Sequence, residues 1–265
     1  MRVLWVFAHP EPRSLTGRLR TAGIAALREA GHEVIESDLY AMHWNPVVTA
    51  ADFARDGVER LDVANESESA LRAGRLSADI RAEHAKLAWA DTVVLHFPLW
   101  WYGMPAIMKG WLDRVMVQGY AYGVRDPESG HTRRYGDGGL AGKRATAVVS
   151  VGAHAGLGPR GIHGDLTEVL FPLLHGTFFY AGMEVLEPVI ISGTNRVSEE
   201  RFATVTADLR ARLLALPTDP PIPYRHQDSG DYDADWNLRP SHLPGRSGLG
   251  IHRHSDESPW AARAR

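Results

Sequence analysis

Three short stretches of this chain carry residue types suited to holding a ligand. The first, His9-Pro10-Glu11-Pro12, interrupts an apolar run and leads to Ser14 and Thr16. Their hydroxyls and the neighbouring backbone N–H groups could hold a phosphate at the positive end of a helix dipole. Read alone, Ser14 is only a helix cap. The second is Leu99-Trp100-Trp101-Tyr102-Gly103, three adjacent rings on a turn between a strand-like run and a helical pattern. Turns normally run over the surface, so three rings there suggest a wall for something flat. A plug for the end of the core stands beside that reading. The third is Gly152-Ala153-His154-Ala155-Gly156, whose glycines let backbone approach a ligand closely. A planar, hydrogen-bonding, phosphate-bearing molecule satisfies all three stretches, and a flavin is such a molecule.

The rest of the composition narrows the chemistry. The 265 residues include no cysteine, so thiolate nucleophiles and disulfides are excluded and redox chemistry would come from a cofactor. The first loop lacks both the G-x-G-x-x-G spacing and the P-loop lysine pattern, and no G-x-S-x-G elbow is present. His43, His84, His96 and His131 show no metal-ligand spacing and are read as surface or packing residues, with no metal expected. A net charge of −3 with scattered basic residues argues against nucleic acid. No apolar run reaches the roughly 20 residues needed to span a bilayer. The opening apolar run is too short for a signal peptide, and a cytoplasmic protein is expected.

The elements that must position these stretches read as α/β. Residues 3–8 are continuously apolar, as in a strand buried on both faces of a parallel sheet. Leu15, Leu19, Ala22 and Ala26 recur at helical spacing, and Gly31 closes that helix. A second strand over 34–37 completes a βαβ unit and predicts a doubly wound, five-stranded parallel sheet with helices on both faces. Residues 40–80 read as an excursion with one or two short helices, broken at Asn45-Pro46 and Gly57. Further strands are expected over 92–97, 145–151 and 183–191. Helices are expected over 80–89, from Pro105 to about 117, from near His163, and over 199–216, with a loop over 120–142. After Pro217 the composition turns to Pro, Asp, Gly, Arg and His. Residues 218–265 are therefore expected to form an irregular extension packing on a domain of residues 1–217 or on a partner subunit. In such a sheet, ligands lie beyond the carboxyl ends of the strands, where the three stretches would meet.

The chain also resembles a known family. Glu36-Ser37-Asp38-Leu39-Tyr40-Ala41-Met42, Gly74-Arg75-Leu76-Ser77-Ala78-Asp79-Ile80, Phe97-Pro98-Leu99-Trp100-Trp101-Tyr102-Gly103, Gly161-Ile162-His163-Gly164-Asp165 and Val185-Leu186-Glu187-Pro188 are similar, in order, to the NAD(P)H:quinone oxidoreductases. Gly248-Leu249-Gly250-Ile251-His252-Arg253-His254 extends the likeness into the tail. The resemblance implies a flavodoxin-like fold and a homodimer with active sites at the interface. It implies FAD rather than FMN, and ping-pong two-electron transfer from NAD(P)H to a quinone or similar aromatic acceptor. Phosphate and ribityl contacts fall on His9, Leu15 and Thr16, joined by Ser14. The flavin ring would lie against Leu99, Trp100, Trp101 and Tyr102, with Gly152 and Ala153 at its polar edge. Pro98, Ser150 and Val151, which end the strands beneath, are counted with them. Asp113 and Arg201 match further cofactor positions, and Tyr120, Tyr122 and Tyr180 match a substrate pocket supplied largely by the partner. His163 matches the histidine that stabilises charge on the reduced flavin.

There are departures from the family pattern. Leu157 replaces a tyrosine six residues before this histidine and is counted with the substrate pocket; His154 lies near enough in sequence to compensate. Gly152-Ala153 replaces two glycines, and Thr16 stands where relatives often carry asparagine. Two alternatives remain at this stage. One is a regulatory flavoprotein subunit of the potassium-efflux type, and the other is a dedicated reductase of an aromatic secondary-metabolism intermediate.

Overall fold

The computed structural model describes residues 1–55, 60–195 and 197–254; Gly57, read above as a break, lies outside them. The expected doubly wound sheet is present. Its strands are β1 (Arg2–Phe7), β2 (Glu33–Asp38), β3 (Thr92–Pro98), β4 (Arg144–Val151), β5 (Glu184–Val185) and β6 (Val189–Ser192). All pair in parallel, in the order β2-β1-β3-β4-β5, with β6 continuing along the same edge of β4. The fifth strand, expected over 183–191, is thus divided. Pro188 has no N–H to give the ladder. The Glu187 carbonyl instead accepts from Thr146 Oγ1 and Arg212 Nη2, each at 3.1 Å.

Side chains alternate between the faces of β1. Val3, Trp5 and Phe7 pack against α1 (Leu15–Glu29) through Leu19, Ile24 and Leu27. The same layer holds Val205, Leu209 and Leu213 of α7 (Glu199–Ala215). Leu4, Val6 and Ala8 face the other layer, which includes Ile80 and Leu87 of α3 (Ala78–Trp89) and Met108 and Trp111 of α4 (Ala106–Val115). The excursion contributes a 3₁₀ turn, Ala50–Phe53, and α2 (Val63–Arg72). Two buried polar nodes fasten that layer. The Glu83 carboxylate accepts from Ser37 Oγ (2.7 Å), Trp111 Nε1 (2.8 Å) and Lys86 Nζ (2.6 Å). Arg114, 3 % exposed, donates to Asp52 (2.7 and 3.2 Å), Asp79 (2.7 Å) and the Asn45 carbonyl (3.0 Å).

Beyond β4, the helix expected near His163 begins at Leu166. Asp165 is the cap of α5 (Leu166–Val169) and accepts from Thr167 N at 2.8 Å, so His163 stays in the loop before it. Next come α6 (Phe171–Leu173) and a π-helical turn, Leu174–Phe179. After α7 the extension returns to the body. Ile222 N donates to the Val185 carbonyl (2.7 Å), and Ile222 and Tyr224 join the main core. Arg225 then holds the tail to itself through the Ile251 carbonyl and Asp231.

Candidate active site

Strand register brings the three predicted loops to one edge. Phe7 pairs with His96 and Pro98 with Ser150, so β1, β3 and β4 release their chains side by side at the switch in strand order. Three contacts then join the loops. Thr16 Oγ1 donates to Ser150 Oγ (3.1 Å, buried), the His9 and Trp100 rings lie 6.2 Å apart, and Tyr102 Oη lies 2.9 Å from His163 Nδ1.

The first loop presents donors. Ser14 caps α1, its hydroxyl accepting from Gly17 N at 3.1 Å, while the N–H groups of Leu15 and Thr16 have no intrahelical partner. Gly17 is needed here because a Cβ would stand 2.1 Å from the Pro12 carbonyl oxygen. His9 Nδ1 accepts from Glu11 N (3.0 Å), which leaves the Nε2 proton free to donate. Burial pulls the His9 pKa below its usual range and favours that neutral form.

The aromatic turn is a closed hairpin. Trp100 and Gly103 exchange backbone hydrogen bonds of 2.9 and 3.0 Å, with Trp101 and Tyr102 between them at φ +50° and +59°. Two left-handed residues suit a type I′ turn, which normally takes Asn and Gly; a bulky residue there costs roughly 1–2 kcal/mol. Leu99 N donates to the Ser150 carbonyl (2.8 Å), tying the turn to β4. Trp101 is 100 % exposed and Tyr102 54 %. The rings therefore do not plug the core.

Leu99, Trp101, Tyr102, Val151, Gly152, Ala153, Leu157, His163 and Leu166 line a cavity of about 240 Å³. The His163 loop is knitted by His163 N to the Gly156 carbonyl (3.0 Å) and Gly158 N to the Gly164 carbonyl (2.8 Å). Gly161 crosses the Gly156 carbonyl so closely that a Cβ would stand 2.0 Å from it. His154, considered above as a compensating group, is exposed and has no hydrogen-bond partner among the described residues.

The other expected residues lie apart from this cavity. Asp113 is on α4, paired with Lys109 at 2.6 Å. Arg201 is exposed in the first turn of α7. It adjoins Phe202, which with Pro12, Arg13, Arg18 and Thr21 lines a groove of about 530 Å³ between α1 and α7. Tyr120 stacks on His84 (3.9 Å), Tyr122 donates nothing to the cavity wall, and Tyr180 stands edge-on to Tyr135 (5.0 Å). None of the three tyrosines lines the cavity of its own chain. Leu166, unforeseen in the sequence, does so because the helix start places it beneath His163.

Among the described residues, no helix is long and apolar enough to cross a membrane. A family model described as flavodoxin-like fold matches residues 1–215. The chain is 42 % identical over 261 residues to a ribosyldihydronicotinamide dehydrogenase-like protein of Penicillium crustosum, with 97 % of each chain covered. It is 34 % identical over 224 residues to NAD(P)H dehydrogenase [quinone] 1 of Rattus norvegicus, covering 83 % of this chain and 79 % of the relative. It superposes with a TM-score of 0.91 on the crystal structure of a candidate quinone reductase from Klebsiella pneumoniae, at 47 % identity, covering 96 % of this chain and 99 % of that one. The chain belongs to this flavodoxin-like family, together with the NAD(P)H dehydrogenases of the quinone type.

Proposed function

We propose that the chain is a flavin-dependent oxidoreductase that passes two electrons from a reduced nicotinamide to a quinone or similar aromatic acceptor. The observation that carries this reading is the meeting of a donor-rich helix start, an aromatic hairpin and a glycine loop at one edge of the sheet, where the last two wall a cavity. The donor set fits a flavin. Uncharged N–H and hydroxyl groups gather where phosphate would lie, and apolar and aromatic side chains where a ring would lie. A bound flavin would supply the hydride chemistry. His9 Nε2, Ser14, Leu15 and Thr16 would hold phosphate and ribityl oxygens. Leu99, Trp100, Trp101 and Tyr102 would cover one side of the ring and keep water from it. Pro98, Ser150 and Val151 fix the floor, and Gly152 and Ala153 offer backbone donors at its edge. His163 would face developing negative charge, a role suited to an imidazole near neutral pH.

The groove between α1 and α7 supports FAD over FMN, since Pro12 and Arg13 of the first loop line it together with Phe202, the neighbour of Arg201. We extend the same reading to a homodimer. Three exposed rings around an open cavity are the kind of patch that a second copy covers. Tyr120, Tyr122 and Tyr180 of that copy would complete the acceptor pocket.

The names of the relatives divide the electron donors, so the test has three arms: NADH, NADPH and ribosyldihydronicotinamide. The full chain should purify yellow and release FAD on denaturation. At least one donor should bleach its visible absorbance anaerobically, with menadione restoring it. A flavin that stays oxidised under excess of all three would overturn the assignment.

A further inference from the structure

The bond between Tyr102 Oη and His163 Nδ1 joins two loops 61 residues apart in sequence, and it holds the only imidazole lining the cavity among the described residues. We infer that Tyr102 is a positioning residue for His163. Its phenol donates to Nδ1, keeps the ring proton on Nε2, and so leaves Nε2–H as the donor available to the cavity. A neutral imidazole has one donor and one acceptor nitrogen, and the partner of one fixes the role of the other. The backbone around His163 is set by the loop's own hydrogen bonds, but those bonds do not set the tautomer. Among the described residues, no other side chain does so. Leu157, in the same loop and lining the same cavity, has no polar atom, and His154 points to solvent.

The hairpin gives a second, independent reason. Tyr102 sits at φ +59° in a turn without the residues such turns favour. A strained conformation persists where its surroundings over-determine it. Here the Trp100–Gly103 bonds close the turn from behind, and the bond to His163 is the one polar contact its side chain makes among the described residues. The turn therefore has two tasks: Trp101 offers a face, and Tyr102 sets the polarity of a histidine.

The bond itself does not depend on the flavin-reductase reading; only its consequence for turnover does. The test is the ¹⁵N side-chain spectrum of His163 in the labelled full chain, taken at alkaline pH and assigned with His163→Gln. Wild type should show the Nε2–H tautomer. Tyr102→Phe should show a tautomer mixture and, losing one hydrogen bond, about a tenfold slower bleaching of the flavin by its donor. Adding Leu157→Tyr to Tyr102→Phe returns a hydroxyl to the cavity and should restore both readouts. An unchanged tautomer ratio in Tyr102→Phe overturns the inference, and so does slower bleaching without a tautomer change, which would make Tyr102 a wall only. If no donor bleaches the flavin in any variant, the functional reading falls while the tautomer spectrum still decides the bond.

Discussion

Helix α4 has opposite surroundings at its two ends. Just before its first turn, the hairpin holds Trp101 and Tyr102 in left-handed conformations with their rings toward solvent. In its last turn, Arg114 is buried and every direction of its guanidinium is met: Asp52, Asp79, the Asn45 carbonyl, and the Trp44 ring 4.6 Å from the guanidinium carbon. One end fastens the 40–80 excursion to the sheet. The other is strained and open where a ligand would come. Under the proposed function, stability and ligand binding are drawn from different residues, one set on the helix and the other on the turn that leads into it. The chain can therefore carry a poor turn before the helix because a satisfied charge cluster secures the same helix 13 residues or fewer away.

The largest effect should come from breaking the fastened end. Arg114→Ala leaves two carboxylates, one of them buried, without their cation, and removal of one partner from a buried pair costs about 3–5 kcal/mol. The urea midpoint should fall accordingly, while Tyr102→Phe should leave it nearly unmoved. Equal losses in the two variants would erase the contrast.

His96 sharpens it, because this is a buried polar group without partners. It lies on β3, 0 % exposed, between the Trp5 and Phe7 rings at 5.6 and 5.4 Å, and neither ring nitrogen has a hydrogen-bond partner among the described residues. Burial, reinforced by the charge of Arg20 and by His9, lowers its pKa to about 3. The folded state thus resists a proton that the unfolded chain accepts near pH 6.5. Its contribution is full above that value and is lost progressively as pH falls toward 3. Between pH 8 and pH 5 the loss is about 2 kcal/mol. His96→Leu should flatten the fall in unfolding free energy over that interval by about this amount. An unchanged slope would mean that the imidazole titrates normally in the fold.

How much of this was legible in the sequence follows the range of the interactions. Strands 1, 3 and 4 announce themselves as apolar runs, and Ser14 and Gly31 bracket α1, because both signals are local. The three ligand loops follow from sheet topology once those strands are known. Arg114 was not legible, since its carboxylates lie 62 and 35 residues away. The Tyr102–His163 bond was hidden for the same reason. The hairpin was hidden for another reason. Its residue types contradict its backbone, and a turn recognised by Asn and Gly gives no sign when Trp and Tyr occupy it. Pro188, standing where β5 and β6 part, and Asp165, the cap of α5, were local signals of these boundaries.

The smallest effect tests the strained end directly. In Trp101→Gly the side chain removed is fully exposed, so little buried surface is lost, and glycine takes φ +50° without the clash that a Cβ brings. The variant should be more stable than wild type by about 1 kcal/mol, as relief of one left-handed residue predicts. If the ring is a wall for the cofactor, the same variant should retain flavin less well, read as the fraction released on dilution. Opposite signs in the two measurements would show that strain is kept for binding. A loss of stability would mean that Trp101 has a packing partner which a single chain does not contain, and the exposed face of the hairpin would then be sought in the dimer. A gain of stability with flavin held as before would return the wall to Trp100 and Tyr102, leaving the strain at Trp101 as a consequence of placing Tyr102 against His163.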